Sequence, residues 1–149
     1  MQLSKFTDYS LRVLIFTAAR HPGKTSITEL AEVYGISRNH LVKVVNQLAN
    51  LGYLDTTRGR GGGVQLGHAA EDIVIGDVIE AMEPGFDMAE CFRQGDNHCR
   101  LTPVCRLKGI MNDAKTAFLR ELSRYTLADL VESPVAIIDA LEIEGAAIN

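Results

Sequence analysis

The chain has 149 residues and a mass of 16.3 kDa, long enough to bury roughly 70% of the surface that its unfolded form would expose. Hydrophobic residues make up 46% and charged residues 23%, which argues against disordered, collagen-like and membrane classes. Residues 1–20 mix charged and apolar side chains and carry no small-residue cleavage site, so we predict neither a signal peptide nor a membrane span. A cytoplasmic protein is expected.

Charge is unevenly distributed along the chain, whose net charge is −4. Residues 1–67 carry eight Lys or Arg against four Asp or Glu, whereas residues 68–149 carry seven against fifteen. A basic first half is compatible with a nucleic-acid-binding module at the N-terminus. Surface lysines and arginines are common in other proteins too, so this interpretation needs support from motifs.

Three helices are predicted in the first third of the chain. Apolar residues at helical spacing indicate a helix over 7–19. Ser26 begins a capping box and predicts a second helix over about 27–34, and Ser37 caps a third helix that stops at Gly52. Two capped helices joined by a glycine-containing turn predict a helix-turn-helix. The apolar stripe of the third helix is Leu41, Val44, Val45, Leu48 and Leu51.

The face of the third helix opposite that stripe carries hydrogen-bonding side chains. Asn pairs with adenine edges, Arg with guanine edges, and Lys and Ser contact phosphates, which is the chemistry that reading a major groove requires. Strand-like pieces at 53–54 and 64–66 flank a glycine-rich cationic tip typical of a wing. The alternative is an ordinary amphipathic helix with a polar exposed side. The predicted DNA contacts are Ser37, Arg38, Asn39, His40, Lys43, Asn46, Arg58 and Arg60.

A short helix over about 75–82, an irregular stretch to Leu101 and one long helix are predicted next. Thr102 and Pro103 form an N-cap and first-turn pair for the long helix, which should run for about 20 residues. Its apolar seam suits pairing with a second helix, so a dimer is expected. The seam consists of Val104, Leu107, Met111, Ala114, Phe118, Leu122 and Tyr125.

Together these patterns predict a mainly α fold, namely a winged helix-turn-helix DNA-binding domain with a cysteine loop and a long dimerisation helix. The predicted divisions are residues 1–83 for the DNA-binding domain, 84–102 for the loop, 103–132 for the dimerisation helix region and 133–149 for a tail of unclear role.

All three cysteines, Cys91, Cys99 and Cys105, lie within 15 residues of one another. An odd number of cysteines in a cytosolic chain argues against a disulfide framework. Their clustering in an irregular segment before a helix N-terminus indicates thiolates gathered on a metal. Three inert cysteines and a zinc site are the alternatives, although the C-x2-C pair typical of structural zinc is absent from the sequence. Candidates for a fourth ligand are Glu90, Asp96, His98, solvent and a residue from elsewhere in a dimer.

An enzyme is not expected. Cys99 and His98 are adjacent, and neighbouring side chains seldom point together as nucleophile and base. The glycine run at 59–63 lacks the Lys-Ser/Thr that follows in a phosphate-binding loop.

Over about residues 1–132 the sequence resembles the winged-helix iron–sulfur transcriptional regulators. Within that family it most resembles the nitric-oxide-sensing repressors, because Arg106, Leu107 and Lys108 follow Cys105, where the cluster-assembly branch has a histidine ligand. The residues that carry the resemblance are 3–12, the caps Ser26 and Ser37, the run 51–54, Arg58-Gly59, Gly62-Gly63, the three cysteines and 127–130.

The resemblance implies a homodimeric repressor of a double-stranded DNA operator, switched by nitric oxide at an iron–sulfur cluster. The implied cluster is [4Fe–4S], with [2Fe–2S] as the alternative. The implied fourth ligand is Asp8 of the partner subunit, and Arg12, one turn further along, would hold that carboxylate in place. Two other functions stay open: a regulator of the same fold that senses iron–sulfur or redox status, and a structural zinc protein that mediates protein contacts. The implied cluster ligands on the chain's own loop are Cys91, Cys99 and Cys105.

Overall fold

A computed structural model of the chain describes residues 2–59, 61–83, 85, 87–93, 95 and 97–146. Within these ranges the chain is mainly helical, and a winged helix-turn-helix leads into a long helix, so the predicted fold class is confirmed. The helices are α1 (Lys5–Ala19), α2 (Ile27–Tyr34), α3 (Arg38–Asn50), α4 (Ile75–Met82), α5 (Arg106–Leu122), α6 (Leu127–Leu130) and α7 (Pro134–Ala146), and the strands are β1 (Leu54–Thr57) and β2 (Gly63–Leu66).

Serine side chains determine where the first three helices begin. Ser4, Ser26 and Ser37 each accept a hydrogen bond from a backbone N–H in the first turn of the helix that follows, which satisfies a donor that the helix itself leaves unpaired. The Ser26 capping box is complete, as predicted. The predicted start of the first helix at residue 7 is wrong, because Ser4 caps the helix and its first residue is Lys5.

The core of the winged domain lies between α1, α3 and α4. Four residues of the predicted α3 stripe are buried, but Leu51 is 41% exposed. Its assignment to the buried stripe is wrong, because Leu51 lies beyond the last helical turn, where Gly52 turns the chain away with a φ of 82°.

The wing is an antiparallel hairpin in which Leu54 pairs with Leu66 and Thr57 with Gly63. The strands therefore extend further toward the tip than the predicted pieces at 53–54 and 64–66. Thr25, between α1 and α2, exchanges two backbone hydrogen bonds with Val64 at 2.9 and 2.7 Å. This bridge fixes the wing against the start of the helix-turn-helix.

The long helix begins later than predicted. Residues Thr102–Val104 form a separate 3-10 turn, and Cys105 occupies the N-cap position of α5, which has 17 residues. The assignment of Thr102 and Pro103 to the helix start is therefore wrong, because the proline belongs to the preceding turn. None of the α5 residues is buried, although Phe118, Leu119 and Leu122 pack against the core at its C-terminal end.

Residues Pro134–Ala146 form α7, which was not predicted from the sequence. The helix contacts both α1 and α2, and Ile138 and Leu141 pack against the core. Within the described residues, no helix combines the length and the hydropathy that crossing a membrane requires.

Candidate nucleic-acid interface and cysteine segment

The predicted reading face of α3 is exposed. Side chains from Ser37 to His40, together with Lys43 and Asn46, all face solvent. Ser37 also caps the helix, because its Oγ accepts a hydrogen bond from the His40 N–H at 3.4 Å. A row of exposed donors and acceptors on one helix face can contact base edges and phosphates without any rearrangement of the core.

A groove of about 290 Å³ lies between this helix and the wing. Arg38, Asn46 and Arg58 line it together, so three of the predicted contact residues from the helix and the wing lie on one surface. Arg60, also predicted to contact DNA, lies outside the described residues. Four hydroxyl-bearing residues that were not predicted from the sequence also line the groove: Ser26, Thr28, Thr56 and Thr57.

Those four hydroxyls reach the groove through long-range contacts that sequence spacing does not show. The Thr25–Val64 bridge brings the start of α2 beside the wing. Lys24 adds a cation here, because its Nζ donates to Thr57 Oγ1 at 3.0 Å. The run of exposed polar residues along β1, Asp55 to Thr57, is the one local signal that was available.

Asp8 and Arg12 form a two-pronged ion pair on the surface of α1. The Arg12 Nε donates to Asp8 Oδ1, and Nη2 lies beside Oδ2, both at 3.1 Å. The hydrogen bond and charge of Asp8 raise the pKa of Arg12. Both side chains remain nearly half exposed, at 47% for Arg12 and 42% for Asp8. The structure thus brings together the two residues that the resemblance pairs.

A side chain that the sequence analysis missed supports Arg12 from the other side. The guanidinium carbon of Arg12 lies 5.9 Å from the centre of the Tyr34 ring. The Tyr34 hydroxyl donates to the backbone oxygen of Arg12 at 3.1 Å. Burial raises the pKa of Tyr34 to about 12, although the charge of Arg12 opposes the shift.

A carboxylate joins the N-terminus of α1 to the end of α4. Glu83 Oε2 accepts hydrogen bonds from the Ser4 N–H at 2.9 Å and from Thr7 Oγ1 at 2.6 Å. A negative charge at a helix N-terminus is favoured by the helix dipole. Because Glu83 precedes the cysteine loop directly, this contact fixes where the loop leaves the winged domain.

The three cysteines are half-buried free thiols. Within the described residues, no three His, Cys, Asp or Glu side chains are grouped closely enough to hold a metal ion. Asn97 orders the segment between the last two cysteines, since its Oδ1 accepts from the Cys99 N–H at 3.1 Å and its Nδ2 donates to Thr102 Oγ1 at 3.0 Å.

The donor chemistry of this segment fits an iron–sulfur centre. Thiolates are the ligands that such clusters take, and none of these thiols is used in a disulfide. Cys105 occupies the N-cap position of α5, so the start of that helix fixes where its backbone lies. Of the alternative fourth ligands, Glu90 lies in the 3-10 turn with Cys91, and Asp96 lies outside the described residues.

Residues 3–133 match the family model of the Rrf2 proteins, described as iron-dependent transcriptional regulators. The chain is also 50% identical, over 145 residues, to the HTH-type transcriptional regulator NsrR of Bacillus subtilis. That alignment covers 97% of this chain and 99% of the relative.

Solved structures give the same result for the fold. CymR, the global cysteine regulator of B. subtilis, is 26% identical, with a TM-score of 0.64 over 89% of this chain and 97% of CymR. T. potens IscR, at 24% identity, superimposes with a TM-score of 0.67 over 89% of this chain and 87% of IscR, and supports the fold alone.

Proposed function

Because the chain belongs to the Rrf2 family of iron-dependent transcriptional regulators, we propose that it is a homodimeric repressor that releases its operator in response to nitric oxide. It is a DNA-binding regulator and not an enzyme, as the sequence analysis predicts. It acts in the cytoplasm, where thiols stay reduced.

The observation that carries this proposal is the groove shared by α3 and the wing. Arg38 and Asn46 enter it from the helix and Arg58 from the hairpin, so one approach to a duplex engages both elements. Asn46 and Arg38 have the side chains that pair with adenine and guanine edges, whereas Lys43 suits a phosphate. The wing arginines extend the contact to the flanking backbone or minor groove.

Cys91, Cys99 and Cys105 of one subunit and Asp8 of the other hold a [4Fe–4S] cluster in this proposal. When bound, the cluster supplies iron at which nitric oxide reacts. Soft thiolates are strong donors to such iron, whereas the Asp8 carboxylate is the harder and more labile donor. The exposure of Asp8 on α1 supports its use by a second copy of the chain.

Asp8 in this role ties the recognition domain of one subunit to the cysteine segment of the other. Two copies of α3 must meet half-sites that are about one helical turn of DNA apart. Loss of the Asp8 tether lets the subunits shift relative to each other, so the population moves toward arrangements that fit the operator poorly.

The test is anaerobic purification with a visible spectrum and iron and sulfide analysis, followed by titration with nitric oxide. Operator binding is followed on a duplex that the protein itself selects from a random-sequence pool. A brown protein that leaves the duplex during the titration supports the proposal. A colourless, zinc-loaded or metal-free protein that still binds the duplex would contradict the sensing role and leave only a DNA-binding regulator.

Single-residue variants test which side chains are cluster ligands. Alanine in place of any one of the three cysteines should abolish the cluster. Asp8→Ala should keep the cluster but change operator affinity or the nitric oxide response. His98→Ala is the matched control from the same segment, and it should keep both the cluster and the response of operator binding to nitric oxide. Loss of the cluster in this variant would make His98 the fourth ligand in place of Asp8.

A further inference from the structure

Tyr34 lies between α1 and the turn of the helix-turn-helix. It is the last residue of α2, and its half-buried ring meets the edge of Phe16 in α1, with 6.1 Å between the ring centres. The ring also lies beneath the guanidinium of Arg12, while its hydroxyl binds the Arg12 backbone oxygen. One side chain therefore contacts both the backbone and the side chain of Arg12.

On its other side, Arg12 occupies both carboxylate oxygens of Asp8. A metal ion that binds an Asp8 oxygen withdraws negative charge from the carboxylate, so it weakens the attraction of Asp8 for this guanidinium. The same guanidinium contacts the Tyr34 ring. A change at Asp8 is therefore transmitted to Tyr34 through a direct contact.

A short turn connects Tyr34 to the recognition helix α3. Gly35 ends α2 with a φ of 61°, a conformation that glycine adopts without strain. Ile36 is buried, and its N–H donates to the Ala31 oxygen at 3.2 Å. Ser37 then caps α3, so three residues separate Tyr34 from the first residue of that helix.

We propose that Tyr34 is a positioning residue that couples the ligation of Asp8 to the placement of α3. The inference rests on the proposed function, in which Asp8 changes partners. The phenol is protonated at neutral pH and burial raises its pKa further, so its hydroxyl remains the donor to the Arg12 backbone oxygen. The ring contributes through its contact with a cation, which is sensitive to small changes in the position of Arg12.

The first experiment measures the ratio of operator affinities between cluster-loaded and cluster-free protein. Tyr34→Leu removes the ring and should lower this ratio by about twofold to fivefold, the range of an exposed cation–π contact, without changing the cluster content. Tyr34→Phe keeps the ring and should stay within about twofold of wild type. Tyr53→Leu, which changes another half-buried tyrosine, is the control and should leave the ratio intact.

A purely structural role gives a different result. If Tyr34→Leu weakens both affinities equally and leaves their ratio unchanged, the coupling role is overturned while the proposed function stands. If wild type itself binds the duplex equally well with and without the cluster, the proposed function fails and this inference fails with it. Asp8→Ala should itself lower the ratio of operator affinities. Adding Tyr34→Leu to Asp8→Ala should not lower that ratio further, because both residues act through Arg12.

The second experiment uses cluster-free protein and hydrogen exchange at the amides of residues 35–37. Asp8→Ala is a surface substitution that does not disturb the core, and it should raise exchange in this turn. Tyr34→Leu should do the same, and Tyr53→Leu should not. Unchanged exchange at residues 35–37 in Asp8→Ala would overturn the inference, whether or not the Tyr34→Leu variant folds.

Discussion

The winged domain and α5 differ in how much of their apolar surface a single chain buries. Except for Leu127, every buried hydrophobic residue in the described part of the chain lies between Val13 and Met82. In α5, by contrast, Leu107 is 60% and Ile110 55% exposed, and Val104 just before the helix is 83% exposed. The first region has a complete core, and the second carries an unpaired apolar face.

This contrast corresponds to a division of tasks. A complete core fixes the relative positions of α3 and the wing within one subunit, which reading a half-site requires. A helix with an unpaired apolar face gains its burial from a second copy, so dimerisation fixes the distance between half-sites. The cysteines lie at the start of this second region, so under the proposed function a change in their ligation would act on the arrangement of the subunits.

The largest predicted effect contrasts one leucine in each region. Leu48 is fully buried in α3, so Leu48→Ala should lower the free energy of unfolding by about 2 to 5 kcal/mol. Leu107→Ala should change the stability of the isolated subunit by less than about 0.5 kcal/mol but weaken self-association. Urea unfolding at low protein concentration measures the stability of the subunit, and sedimentation at high concentration measures self-association. Similar losses of subunit stability in both variants would contradict the contrast.

A second pair of substitutions tests the junction between the two regions. A Cβ on Gly76 of α4 would lie 2.0 Å from Ser123 Oγ and 2.9 Å from the Leu119 oxygen at the end of α5. Gly76→Ala must displace α5 and should cost about 1 to 3 kcal/mol in thermal unfolding.

Gly109, the fourth residue of α5, is the matched control for this junction. A Cβ there meets nothing within 4 Å, so Gly109→Ala should stabilise the helix by up to about 1 kcal/mol. The packing argument would be undermined if Gly76→Ala proved neutral, or if Gly109→Ala destabilised the protein by a similar amount.

The third prediction concerns the reading surface. Asn46 lines the groove shared with the wing, so Asn46→Ala should weaken operator binding about tenfold, equivalent to roughly 1.4 kcal/mol. Asn50, exposed at the end of the same helix, is not among the groove-lining residues and is the matched control. Fluorescence anisotropy of a labelled operator at fixed salt concentration compares the affinities of Asn46→Ala and Asn50→Ala. Equal losses in both variants would place the reading surface elsewhere on α3.

Features set by neighbouring residues could be predicted from the sequence. Ser26 and Ser37 cap helices at the expected positions because a cap needs only a hydroxyl and the next three backbone groups. The exposed face of α3 followed from the 100° rotation per residue. The pairing of Asp8 with Arg12 likewise needed only the spacing of four residues on one helix.

Features set by distant residues could not be predicted. The place of Tyr34 under Arg12 depends on how α2 packs against α1, and the hydroxyls of the groove depend on the bridge between Thr25 and Val64. The helix from Pro134 onward carries apolar residues on all sides and lacks a periodic stripe, so its pattern gives no helical signal. The gathering of the cysteines on a metal stays a prediction, because bonds to the metal would supply that geometry.

The smallest predicted effect concerns Tyr34 at alkaline pH. Burial raises the pKa of Tyr34 to about 12 in the folded protein, against about 10 in the unfolded chain. Between these values the unfolded chain has lost the phenolic proton and the folded protein retains it, so stability falls as the pH rises. Because the side chain is only half-buried, the loss should stay below about 1 kcal/mol at pH 11. Tyr34→Phe cannot ionise there, so its free energy of unfolding should decline less steeply than that of wild type from pH 10 to 12. Parallel curves for the two proteins would mean that the Tyr34 hydroxyl is hydrated in solution, which would contradict burial as the cause of its raised pKa.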